Sequence, residues 1–117
     1  TRRNKFRDSM LRTTFHLALH VLVPAAVARV GFHGRWLTAW MVMVATMAVD
    51  LDHLLATPIF DPNRCSVGFH PLHTGPAVVF YGLLTAFAKT RLIGMGLIIH
   101  MALDGLDCLW MGWAGGG

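Results

Sequence analysis

Charge is what this chain has least of. Asp, Glu, Lys and Arg make up 14% of its 117 residues, against about 25% in an ordinary soluble domain. Glutamate is missing altogether, since all six acids are aspartates. Water-facing helices use glutamate freely in i, i+4 pairs with lysine, so these aspartates were not placed for solubility. Cysteine is scarce too. Cys65 and Cys108 form no CxxC pair, two positions alone do not argue a disulfide, and the expectation is two free thiols. No cleavable signal is expected either, because the first apolar run continues into a full span without a small-residue cleavage motif. What remains is apolar: 55% of the residues and a mean hydropathy of +0.53. A chain of this length makes one domain, and its composition points to the membrane class.

The expected fold is all-α, an integral membrane four-helix bundle with up-down topology. Residues 1–12 carry Arg2, Arg3, Lys5, Arg7 and Arg12. Beside an apolar span, such a basic juxtamembrane segment meets anionic lipid headgroups rather than nucleic acid. Residues 13–114 form the single four-span domain. Span one covers Leu11 to Val30 and contains Pro24, which membrane helices tolerate. Span two covers Trp36 to Leu55, with Trp36 and Trp40 as interface anchors. A polar loop at 56–74 follows, of the kind that carries function. Span three, Gly75 to Ala88, is short for a hydrocarbon core of ~30 Å. Span four covers Leu92 to Trp113. Lys and Arg count six on the side of the termini and four on the other, which favours cytoplasmic termini.

Up-down topology gathers the polar residues. His16 and His20 fall in the near half of span one, and Asp50, Asp52 and His53 at the near end of span two. His70 and His73 lie in the loop on that side. His100, Asp104 and Asp107 fall in the near half of span four. Six of the seven histidines therefore converge on one half of the bilayer, and only His33 lies opposite. His16/His20 and His100/Asp104 are i, i+4 pairs, and Asp50/His53 and Asp104/Asp107 are i, i+3 pairs, so each pair shares a face. Helical bundles build metal sites from such pairs.

An aspartate at mid-bilayer costs ~2.5–3.5 kcal/mol on insertion scales, so ionisable residues in spans pair, coordinate or conduct. A divalent cation would offset two carboxylates and satisfy neutral imidazoles at once. The candidate ligands are His16, His20, Asp50, His53, His70, His73, His100 and Asp104, for one or two ions. Nitrogen and oxygen donors suit zinc first, with manganese or iron as alternatives. His16 is the weakest of the set, being closest to the interface. Asp52 lies roughly 200° from Asp50 on an α-helix and cannot share its ion if the helix continues, which leaves it a second ion, a general base or a cap. Asp107 is a carboxylate behind the ligands or an interfacial group. Arg64 is a candidate phosphate clamp or a loop-stabilising residue. Gly94 and Gly96 are expected to permit close helix contact. Bis-histidine haem between His20 and His100 is a third, less favoured reading.

The order of these motifs resembles a superfamily of bacterial inner-membrane proteins described as membrane-bound metal-dependent hydrolases. Those proteins carry a span-one histidine, a Pro-Asp-x-Asp-like motif, a His-Arg-x-x-Thr-His-Ser-like motif and a late His-x-x-x-Asp. Two departures are Val49 in place of proline and the shorter His70-Pro71-Leu72-His73. A closer resemblance is to a small uncharacterised family of integral membrane proteins, through Asp50-Leu51-Asp52-His53-Leu54, Asn63-Arg64-Cys65-Ser66, Phe69-His70-Pro71-Leu72-His73 and Asp107-Cys108. It covers residues 14–110. The resemblance implies a multi-pass protein of the bacterial inner membrane that binds metal. The activity expected on that basis is a metal-dependent hydrolase acting on a lipid or lipid-linked phosphoester. The alternative is a non-enzymatic metalloprotein: an accessory subunit, a scaffold or a metal permease. Membrane lipids are the expected partners, and a homodimer or larger complex would add the buried surface that four short helices lack.

Overall fold

The structure is a computed structural model that describes residues 1–55, 65 and 71–114, with the backbone alone for 51–54 and 111–114. Four α-helices and no strand occur among the described residues. They are α1 (Arg2–Gly31), α2 (Trp36–Ala45), α3 (Gly75–Thr85) and α4 (Arg91–Ala114). Short 3₁₀ turns at His33–Arg35 and Pro71–His73 precede α2 and α3, and a longer 3₁₀ segment, Thr46–Leu55, continues α2.

Helix α1 begins earlier than the hydropathy suggests. Thr1 caps it, its hydroxyl accepting from the Asn4 amide at 3.4 Å. The basic segment is therefore the first three turns of α1 rather than a separate arm. Helix α1 runs on through Pro24, whose missing N–H leaves the His20 carbonyl without its intrahelical donor. Arg12, His20, Pro24 and Ala28 are its buried residues, and with the half-buried His16 they recur at every fourth position. That stripe faces α4.

Span two is not one continuous α-helix. The Thr46 hydroxyl donates back to the Met43 carbonyl at 2.5 Å, and the Thr46 amide is shared among the carbonyls before it. Such back-bonding competes with the i→i−4 ladder, and the chain tightens to 3₁₀ from Thr46 onward. With rises of ~1.5 and ~2.0 Å per residue, α2 and its 3₁₀ extension together reach ~35 Å. Helix α3 is shorter than the span expected. Thr74, in extended conformation, precedes it, and Pro76 occupies its first turn. Its last carbonyls are closed by the Thr90 hydroxyl on Leu84 O (2.7 Å) and the Arg91 guanidinium on Thr85 O (3.0 Å).

Helix α4 packs against each of the other three. Ala28 of α1, Ala39 and Met43 of α2, and Leu92, Met95 and Ile99 of α4 form one apolar cluster. Val49, Tyr81, Leu97 and Met101 form a second, toward α3. Gly94 and Gly96 do what their position suggested. A Cβ on Gly96 would lie 2.8 Å from the Met43 Cα and 2.6 Å from the Thr46 hydroxyl, and one on Gly94 would lie 2.7 Å from the Thr85 amide nitrogen. Only glycine lets α4 approach α2 and α3 this closely. The apolar clusters hold one end of α4, and its polar residues face inward at the other.

Candidate metal centre

The second half of α4 presents His100, Asp104 and Cys108 at i, i+4 spacing on one face. His73, on the 3₁₀ turn ahead of α3, meets that face, and so does Asp50 from the 3₁₀ segment. Tyr81 positions the turn by donating its hydroxyl to the Leu72 carbonyl at 2.7 Å. His73, His100 and Asp104 are buried, with side chains 0%, 2% and 5% exposed, whereas Asp50 at 38% forms the mouth of the cluster.

The ligand atoms converge on one point. His100 Nε2 lies 3.0 Å from Asp50 Oδ1 and 3.1 Å from Asp104 Oδ2. His73 Nε2 lies 3.2 Å from Asp50 Oδ1 and 3.0 Å from Asp104 Oδ2. The two Nε2 atoms are 3.2 Å apart. Each nitrogen thus faces three polar atoms but can carry one proton at most, so a single hydrogen bond to one carboxylate leaves two further polar atoms within 3.2 Å of each nitrogen. A tetrahedral ion with arms of ~2.0–2.1 Å sets its ligands about 3.3–3.4 Å apart, close to the spacings observed. Asp104, buried at 5% exposure, is stabilised by compensating positive charge, because an unpaired buried ion costs several kcal/mol.

A second set adjoins the first. His16 Nε2 is 3.0 Å and His20 Nε2 3.3 Å from Asp104 Oδ1. His20 Nδ1 lies 2.8 Å from the His16 carbonyl. A carbonyl only accepts, so Nδ1 carries a proton, and in the neutral ring Nε2 is the nitrogen free to ligate. Metal-bound histidines are oriented by a contact of this kind. His100 lacks one, as its buried Nδ1 has no hydrogen-bond partner among the described residues.

Several expectations need correction. His16, expected as the weakest of the set, joins the cluster through Asp104, one turn before His20, with its side chain 21% exposed. Arg12, expected among lipid headgroups, is buried and pairs with Asp107, Nε to Oδ1 at 3.4 Å. Asp107 therefore closes the cluster's outer edge through Arg12. Cys65 and Cys108 are not free thiols but a disulfide, with Cα atoms 5.1 Å apart, within bridging range. It ties the polar loop to α4 one turn beyond Asp104. The His20 and His100 rings touch edge to face, centroids 4.5 Å apart, which leaves no room for a haem plane between them. The side chains of Asp52 and His53, and all of Arg64 and His70, lie outside the described residues. The Arg12–Asp107 pair and the disulfide escaped sequence reasoning. Arg12 and Cys108 each extend an i, i+4 stripe, Arg12-His16-His20 on α1 and His100-Asp104-Cys108 on α4, but neither stripe names the partner.

Fold and site together define an all-helical protein with a buried His/Asp group that can hold a metal ion. Residues 10–111 match the family of unknown function DUF6122, and the chain belongs to that family. No curated protein matches it. No solved structure does either.

Proposed function

We propose that this chain is a multi-pass membrane metalloprotein whose His/Asp cluster binds a divalent transition metal and uses it to activate water. The observation that carries the reading is the meeting of His73 Nε2, His100 Nε2, Asp50 Oδ1 and Asp104 Oδ2 at mutual spacings of 3.0–3.2 Å wherever an imidazole is one partner. Zinc is the first expectation for this N₂O₂ set, with manganese and iron as alternatives.

The membrane part of the reading rests on an inverted surface. Helices α1 and α4 are long and apolar enough to cross a bilayer, yet most of their residues are not buried as those of a soluble core helix would be. Leu22, Val30, Phe80, Leu83 and Phe87 point outward, while Arg12, His20, His73, His100 and Asp104 point inward. Polar inside and apolar outside is the arrangement lipid selects. The bacterial inner membrane, implied by the resemblance to membrane-bound metal-dependent hydrolases, is its proposed location.

A bound metal lowers the pKa of its water to about 7 and polarises a scissile bond. Asp50 at the mouth orients the centre toward headgroup depth, which suits a lipid or lipid-linked phosphoester. Asp52 as proton acceptor and Arg64 as phosphate clamp complete that hydrolase reading. One observation favours a non-enzymatic metalloprotein instead. The space beside His20 and His100 is narrow and lined mostly by apolar groups such as Pro24, Met43, Met47 and Ile99.

Elemental analysis of the detergent-purified protein tests the proposal. Wild type should carry stoichiometric transition metal, and His100→Ala/Asp104→Ala should carry none. Metal-free wild type that takes up none on reconstitution would mean a proton-handling network and end the hydrolase reading. Tight metal without turnover on any lipid phosphoester would select the non-enzymatic alternative.

A further inference from the structure

We infer that the cluster is a dinuclear centre in which Asp104 bridges two metal positions, one carboxylate oxygen to each. The inference rests on the metal reading above and goes beyond it by assigning every described ligand to an ion. Asp104 Oδ2 faces His73 Nε2 at 3.0 Å and His100 Nε2 at 3.1 Å. Asp104 Oδ1 faces His16 Nε2 at 3.0 Å and His20 Nε2 at 3.3 Å. Each oxygen has its own pair of imidazoles. The first position has four protein ligands once Asp50 is included. The second has three: His16, His20 and Asp104.

The His20 contact makes the second position more than a hydrogen-bonded margin of the first. Its Nδ1 proton goes to the His16 carbonyl. In the neutral ring Nε2 then holds a lone pair, and at 3.3 Å that lone pair faces a carboxylate oxygen. Nε2 completes no hydrogen bond, although it is fully buried. Two lone pairs directed at each other repel unless a cation lies between them. A proton on each ring, both donated to that one oxygen, would also remove the repulsion; a single cation placed among the three atoms serves both rings at once. The contact of the His20 and His100 rings keeps the two positions adjacent, as in carboxylate-bridged pairs with ions ~3.5–4 Å apart.

The two positions differ in what they can do. Four protein ligands close the first position to the extent that structural zinc sites are closed. Three ligands leave the second open for water, as catalytic sites are. The open position is therefore the one formed by α1, and His16, 21% exposed, lies on its outer side.

Chelator-treated full-length protein in detergent is titrated with Zn²⁺ and counted by elemental analysis, wild type beside His16→Gln/His20→Gln. Two equivalents in wild type and one in the variant are expected. Mn²⁺-loaded wild type gives a check that needs no variant, because a bridged pair shows an exchange-coupled EPR spectrum in place of isolated six-line signals. One equivalent in wild type, two in the variant, or two magnetically isolated Mn²⁺ ions would overturn the bridge and leave the metalloprotein reading standing. No metal in any form of the protein would overturn both.

Discussion

The two ends of α4 are held by opposite means. Toward its start, Gly94 and Gly96 let backbones meet, and the packing around them is mostly apolar. Toward its end, His100, Asp104 and Asp107 meet Asp50, His73, His16, His20 and Arg12, and contact is polar and directional. The glycine end gains from packing whatever is bound elsewhere. The histidine end gathers four imidazoles around two carboxylates at hydrogen-bond distance. One end reads as scaffold, and the other is a group that can hold a metal ion.

The largest effect is expected at Asp104, because its oxygens touch four imidazoles. Asp104→Asn keeps the shape and removes the charge. Breaking a buried ion cluster from one side costs ~3–5 kcal/mol, so metal affinity should fall by at least 100-fold at both positions. Isothermal titration with Zn²⁺ measures this. Near-normal uptake by the variant would show that the imidazoles suffice and that the histidine end does not depend on the carboxylate.

The disulfide comes next. It closes a sequence separation of 43 residues, for which a chain-entropy estimate gives ~4 kcal/mol and practice ~2–4 kcal/mol. Cys108→Ser should lower stability toward unfolding in mixed detergent by that amount and weaken metal binding, since the tether lies one turn from Asp104. Disulfides persist on the oxidising side of a membrane. Thiol labelling in intact cells should therefore find no free cysteine until reductant is added. That result would place the histidine end on the oxidising side, opposite to the orientation drawn from the Lys and Arg count. Labelling without reductant would restore cytoplasmic termini.

Gly96→Ala probes the scaffold end. Its Cβ would press on Met43 and Thr46, and over-packing of this kind costs ~1–3 kcal/mol. Thermal stability should drop while metal stoichiometry at saturating Zn²⁺ stays unchanged. Loss of metal along with stability would mean that the two ends are coupled through the 3₁₀ segment that starts at Thr46.

What could be read from the sequence followed from periodicity. The i, i+4 pairs on α1 and α4 and the order of the polar motifs brought His16, His20, Asp50, His73, His100 and Asp104 to one end before any coordinates. Three features could not be read this way. The switch of span two from α to 3₁₀ falls at Thr46, whose hydroxyl bonds the Met43 carbonyl, a local feature that hydropathy does not register. The start of α1 at Arg2 is hidden from hydropathy because charged residues end an apolar run without ending a helix. The burial of Arg12 followed from Asp107, a carboxylate whose need for a partner was visible but whose partner sits 95 positions away in the chain. Long-range pairing is where single-sequence reasoning is weakest, and the disulfide escaped it for the same reason.

The smallest effect expected is at Tyr81. Its ring belongs to the apolar cluster of Val49, Leu97 and Met101, while its hydroxyl reaches out to the Leu72 carbonyl beside His73. Tyr81→Phe leaves the ring in the scaffold and removes only the reach toward the metal centre. One such hydrogen bond is worth ~0.5–1.5 kcal/mol, which corresponds to about two- to twelve-fold in affinity. The loss should fall on Zn²⁺ binding at the four-ligand position, because His73 belongs to that ion and not to the one held by His16 and His20. Thermal stability of the apo protein should change little. The reverse pattern, a stability loss with metal affinity intact, would move Tyr81 wholly into the scaffold and leave the placement of His73 to the turn itself.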